Sequence, residues 1–197
     1  MKKLLSDRNL FNPISLLILM SIAMPIAFNA WSAMLNNFVV EKAAFTGVEI
    51  GILQSLREVP GFLSFTLIFV LLVIKEQTFA VFSLALLGLG VCLTGFFPTV
   101  YGLYFTTVLM SIGFHYFEAV KQSLSLQWLS KDEAPIILGK LLAVGSLTSL
   151  IVYGCLWTLL EFFQLPYWIN FAIAGGICIF LALVMFIFYP AFPSKVE

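Results

Sequence analysis

Long apolar runs alternate with very short polar breaks along the whole chain. Six apolar stretches follow one another, at about 13–38, 46–74, 78–97, 99–128, 133–163 and 167–189. Each is long enough for a helix to cross the hydrocarbon core of a bilayer, which takes ~20 residues. The breaks hold little more than Glu41-Lys42, Lys75-Glu76-Gln77, Phe97-Pro98, Lys131-Asp132 and Gln164-Leu165-Pro166, so no soluble domain fits between spans. The pattern predicts an all-α integral membrane protein, with residues 1–197 forming a single bundle of six transmembrane helices. Helix ends are readable as well. Thr46-x-x-Glu49 and Ser130-x-x-Glu133 fit the capping box, in which an acid satisfies free backbone N–H groups. Pro135 falls early in the fifth span, where a missing N–H does little harm. Pro25 and Val59-Pro60-Gly61 lie inside spans and are expected to bend them.

The spans differ in their polar positions. In the fourth, Tyr104, Thr107, Ser111, His115, Glu118, Gln122 and Ser125 recur three and four residues apart, which puts them on one face of a helix. The first carries Ser21, Asn29, Ser32 and Asn36. The second is rich in small and polar residues, with Gly47, Gly51, Gln54, Glu58 and Gly61. The fifth offers Gly139, Ala143, Gly145, Ser146 and Ser149, and both of these spans suit close helix contact. The third and sixth are almost wholly apolar and suit lipid. The order polar, small, apolar thus occurs twice, at an offset of roughly 85–90 residues. Such symmetry predicts two three-helix repeats, and an odd number of spans per repeat makes the second copy inverted.

Composition supports this class. Hydrophobic residues make up 61% of the chain and charged residues 10%, against about 25% charged in a soluble domain. The alternation of a membrane barrel is absent. Net charge is zero, which suggests no nucleic-acid partner. Cys92, Cys155 and Cys178 stand singly in apolar runs, without metal-ligand spacing, and read as small buried apolar residues. No metal or cofactor is implied. The first apolar run is too long for a signal-peptide core and lacks a cleavage site, so it is read as a retained span. Lys2, Lys3, Arg8, Lys75, Lys131 and Lys195 fall on one side and Lys42 on the other. That bias places both termini in the cytoplasm, with Trp128 and Tyr189 at the inner interface and Tyr101, Trp157, Tyr167 and Trp168 at the outer one.

Candidate chemistry follows from cost. A charge at the bilayer centre costs roughly 2.5–3.5 kcal/mol on insertion scales. The fourth span carries His115, Glu118 and Lys121 within seven residues, so this face must meet partners or water. Glu118 is the candidate proton carrier, because a low-dielectric site disfavours the charged carboxylate. His115, one turn away, can share the proton. The alternatives are a structural network or direct contact with a solute. Arg57 and Glu58 lie near mid-membrane in the second span, about 100° apart in direction, so they need not bind each other. They form either an ion-pair network with the fourth span or a gating or substrate-binding pair. Lys121 either lines the pathway or snorkels toward the inner interface. Asn29 and Asn36 either join helices or line the cavity. Gln54, Ser111 and Gln122 complete the polar set assigned to a solute and proton pathway.

Two stretches carry a resemblance. Thr46-Gly-Val-Glu-Ile-Gly-Ile-Leu-Gln-Ser-Leu-Arg-Glu-Val-Pro-Gly-Phe-Leu-Ser-Phe65 and Leu109-Met-Ser-Ile-Gly-Phe-His-Tyr-Phe-Glu118, followed by Gln122-Ser-Leu-Ser-Leu-Gln-Trp128, look like a bacterial branch of the major facilitator superfamily. The chain as a whole resembles the amino-terminal six-helix half of such a transporter. The resemblance implies secondary active transport of a small solute by alternating access in a bacterial inner membrane; proton coupling rests on the reading of Glu118 itself and is not implied by the resemblance. The resemblance also implies that the first and fourth helices line a central cavity and the third and sixth lie outermost. Lys75-Glu76-Gln77 replaces the Gly-x-x-x-Asp-Arg-x-Gly-Arg loop of that family. The Arg often found in the family's fourth helix and its Gly-Pro antiporter signature are absent. The chain stops at Phe192-Pro-Ser-Lys-Val-Glu197, where the family's central loop would begin. The expectation is a half-length transporter whose polar face meets a second six-helix half, either a second copy or a separate chain. Two other classes compete. One is a non-transporting membrane scaffold or truncated fragment. The other is a six-span membrane enzyme, disfavoured because His115 is the only His and no Gly-x-Ser-Gly or His-Glu-x-x-His motif is present.

Overall fold

A computed structural model describes residues 11–193. Lys2, Lys3, Arg8 and Lys195, which carry most of the charge bias, lie outside the described residues. Helix α1 runs Pro13–Ala43 without interruption through Pro25. Its N-cap Asn12 accepts from Ser15 N at 2.9 Å, and Ala44 ends it in the left-handed region at φ 52°. Helix α2, Gly47–Phe62, opens on the expected capping box: Glu49 Oε2 accepts from Thr46 N at 2.8 Å, and Thr46 Oγ1 accepts from Val48 N at 3.3 Å.

The expected continuous second span is broken. After Pro60 the helix tightens into a 3-10 turn, Leu63–Thr66, and resumes as the short α3, Leu67–Leu71. Pro60 gives no N–H to the preceding turn, and its ring crowds the carbonyl four residues back. The Tyr116 hydroxyl meets Thr66 Oγ1 at 2.6 Å and so braces the break from a neighbouring helix.

The remaining rods are α4, Glu76–Thr94; α5, Val100–Trp128; α6, Ala134–Trp157, which ends in a π-turn, Thr158–Phe162; and α7, Tyr167–Phe188. At the start of α6 the Ser130–Glu133 side-chain bond is present at 2.7 Å, and the helix begins one residue later with Pro135 in its first turn. No strand occurs among the described residues. Four helices are long and apolar enough to cross a membrane: α1, α4, α6 with its π-turn, and α7. By length and composition the protein is therefore a helical membrane protein.

Packing corrects one expectation. The apolar third and sixth stretches, α4 and α7, are not simply turned to lipid. They pack against each other, α4 also packs along α5, and α7 along α1. Half of the most apolar window of α4 is buried, against 6% for α6. Glycines set these crossings. A Cβ at Gly90 would fall 2.6 Å from Met110 Cα, one at Gly113 2.7 Å from Leu87 Cα, and one at Gly88 2.8 Å from the Gly175 carbonyl oxygen. The backbones of α4, α5 and α7 touch, which only small residues allow. The small residues of the second and fifth spans make the expected contacts only in part: Gly61 lies against His115 and Gly145 against the Ser21 carbonyl, whereas Gly47, Gly51 and Gly139 have nothing within 4 Å of a built Cβ. Helix α2 lies on α5, and α6 lies on α1, as two outer flanks.

Rods of opposite direction alternate, so both ends of the bundle are identifiable. Phe11 meets Phe188 and Tyr189, and Trp128 meets Phe192, at one end. Phe38 meets Tyr167, and Phe45 meets Tyr104, at the other. At the first end, Glu76 Oε2 accepts from Ser123 Oγ at 3.0 Å and Gln127 Nε2 at 2.6 Å. Gln77 bonds Pro190 O and Phe192 N, both at 2.9 Å. The short Lys75-Glu76-Gln77 break thereby ties α4 to α5 and to the segment after α7. Of the cysteines, Cys178 is buried as expected, but Cys155 is exposed.

Candidate functional site

The polar residues of α5 do not form one stripe in one environment. Neighbouring helices divide them in two. Toward α1 and α6 the helix faces a cavity of about 630 Å3, within the roughly 300–1,000 Å3 typical of small-molecule sites. Glu118, Lys121 and Gln122 line it from α5, and Asn29 lines it from α1. Toward α2 the helix meets Arg57, Glu58 and the Pro60 break.

The cavity takes its shape from local sequence. On α1 its lining runs from Ser21 to Asn29, on α5 from Phe114 to Ser125, and on α6 from Leu138 to Ser149. Since α1 and α5 run in opposite directions, it occupies the half of the bundle nearest the Lys75 and Lys131 end. Its inner limit is the level of Phe28 and Phe114, whose rings stack at 4.2 Å, and of Asn29 Nδ2, which donates to Ser149 Oγ at 2.7 Å. Pro25 contributes too. It carries no N–H, so the Ser21 carbonyl loses its ordinary helical donor on this wall. Ser21 Oγ, in a residue only 2% exposed, has no hydrogen-bond partner.

Glu118 and Lys121 are the charged pair of the cavity. Lys121 Nζ stands 3.7 Å from Glu118 Oε1, beyond hydrogen-bond length, and 5.8 Å from the Phe117 ring centroid. Glu118 Oε1 is covered and accepts no hydrogen bond, although the side chain as a whole is 42% exposed. The two groups are held as a loose ion pair at the cavity wall.

The second cluster is an ion pair held to α5. Contrary to the expectation from their directions, Arg57 and Glu58 bind each other: Nε and Nη2 of Arg57 both donate to Glu58 Oε1, at 2.9 and 2.6 Å. Long side chains bridge the 100° that separates adjacent helical positions. His115 Nε2 lies 4.0 Å from Glu58 Oε2, and the buried Ser111 hydroxyl donates to the Arg57 carbonyl. Gly61 makes room for the imidazole, since a Cβ there would fall 2.8 Å from its Cε1. His115 therefore faces Glu58, not Glu118, and the expected sharing of a proton between His115 and Glu118 finds no geometric support.

Two residues fall in neither place. Asn36 is exposed on α1, beyond the cavity, and Gln54 is half-buried on α2. What the sequence reading missed is the third wall. Ser146 and Ser149 were assigned to helix contact, yet they line the cavity, and the Phe28–Phe114 stack has no polar signal to reveal it. No known family model, curated protein or solved structure matches the chain.

The ion pair carries a prediction. With the Arg57 side chain 31% and the Glu58 side chain 60% exposed, a double-mutant cycle of Arg57→Met and Glu58→Gln on thermal stability in detergent should give a coupling of roughly 0.2–1 kcal/mol, the scale of an exposed pair. Additive losses would mean that the pair is not coupled.

Proposed function

We propose that the protein is one six-helix half of a secondary transporter, moving a small solute across a membrane by alternating access. The observation that carries this reading is the open cavity between α1, α5 and α6, which sets a carboxylate, a lysine and neutral polar side chains among helices otherwise apolar enough to cross a bilayer. A scaffold has no need of an ion pair facing a cavity of ligand size.

The neighbour relations support two inverted three-helix repeats. Helix α1 packs on α6 and α7 as α5 packs on α2 and α4, while α4 and α7 pack on each other. Exchanging the first three spans with the last three maps these contacts onto one another, while the smaller α1–α4 contact has no comparable α5–α7 counterpart. This symmetry supports six spans, with the polar α5 and the broken rod of α2 and α3 crossing alongside the four apolar helices. It also supports the resemblance to the major facilitator superfamily. Lys75 and Lys131 sit at the end nearest the cavity, so the positive-inside rule turns the cavity toward the cytoplasm. The membrane is then a bacterial inner membrane, with an inward-facing site and Glu118 as the proton-coupled group.

A second half covers the polar face. Ser32, Asn36 and Glu58 are exposed, and Gly47 and Gly51 on α2 and Gly139 on α6 are open. Such polar groups against lipid are costly, and alternating access needs two bundles around one site. In cysteine-free protein, Asn36→Cys should cross-link to a second copy in vesicles. Full uptake by a demonstrated monomer would end the argument for any second bundle, and absence of uptake with any partner would end the transport reading.

A further inference from the structure

Resting on the reading of the cavity as a solute site, we infer that it takes a small zwitterion with an apolar arm, of the size of an amino acid or dipeptide. Three observations lead there. First, the cavity presents one carboxylate and one ammonium, Glu118 and Lys121, as an ion pair 3.7 Å apart, too long for a hydrogen bond. The pair carries no net charge, so an anion or a cation alone would bring an uncompensated charge to the site. A zwitterion matches both.

Second, the Glu118 side chain is 42% exposed although its Oε1 is covered, so the carboxylate is open to a solute ammonium, which brings three donors. Lys121 suits the solute carboxylate. Third, much of the rest of the wall is apolar, with the stacked Phe28–Phe114 pair, Met24 and Leu138. Of its neutral polar side chains, Ser125 and Ser149 donate to carbonyls of their own helices and Asn29 donates to Ser149, so the wall offers chiefly a surface for an aliphatic or aromatic arm.

The test is competition binding on the full chain in lipid nanodiscs, with radiolabelled L-leucyl-L-leucine as probe. Unlabelled L-leucyl-L-leucine should displace it. The N-acetylated dipeptide, lacking the ammonium, and the dipeptide amide, lacking the carboxylate, should each compete at least about tenfold more weakly. Glu118→Gln should erase the penalty for N-acetylation while keeping that for the amide, and Lys121→Met should do the reverse. No saturable binding of the probe, or equal competition by all three compounds, overturns the inference without need of any variant. Transport is separable from this: uptake of an uncharged solute with no probe binding would leave the transporter reading standing and sink the zwitterion, whereas probe binding without uptake would do the opposite.

Discussion

Gly113→Ala is expected to destabilise the bundle by about 3 kcal/mol or more, at the upper end of the cost of overpacking a filled core. The new Cβ would fall 2.7 Å from both Leu87 Cα and the Ser83 carbonyl oxygen. Those are backbone atoms of α4, and no rotamer change moves them away. Relief requires α4 and α5 to separate, which would also disturb the α4–α7 crossing at Gly88 and Gly175. Gly139→Ala is the control. Nothing lies within 4 Å of its Cβ, so the change should stay within about 1 kcal/mol and lean toward stabilisation, as alanine favours a helix over glycine. Unfolding in mixed micelles measures both. Equal effects at the two positions would refute the close α4–α5 contact.

Glu118→Gln is expected to abolish pH-driven uptake in proteoliposomes while leaving solute-for-solute exchange measurable, at the higher solute concentration that loss of the ammonium contact requires. Glutamine keeps the shape and the acceptor oxygen but cannot take up or release a proton. A group whose protonation links the gradient to solute movement should therefore lose the link and keep the pathway. Loss of roughly a hundredfold or more in gradient-driven rate is the expected scale for a residue of this kind, on the order of what one proton-transfer group supplies. His115→Gln should be milder, because His115 lies in the α2 cluster beside Glu58 and does not line the cavity. An unchanged pH dependence in Glu118→Gln would remove Glu118 from the coupling role. A collapse of exchange as well would assign it to solute binding alone.

The amino-acid sequence determined that this is a helical membrane protein and where most of its helices start and stop, the broken second span apart. Apolar run length depends only on local composition, and a capping box such as Thr46–Glu49 closes within one turn. Sequence also picked out the polar residues that could not face lipid unpaired, including Asn29, Glu118, Lys121 and Gln122, all of which line the cavity. Only the tertiary structure decided what each face meets. In a membrane helix, lipid and a packed neighbour are both apolar, so composition does not tell α4, half buried, from α6, scarcely buried. Glycine is equally ambiguous: Gly113 and Gly139 look alike in sequence, yet one holds two backbones together and the other is open. The α5 stripe was legible, but its division was not. Which of its side chains turn toward Glu58 and which toward Asn29 depends on where α2 and α6 dock, and that is set by contacts far apart in the chain.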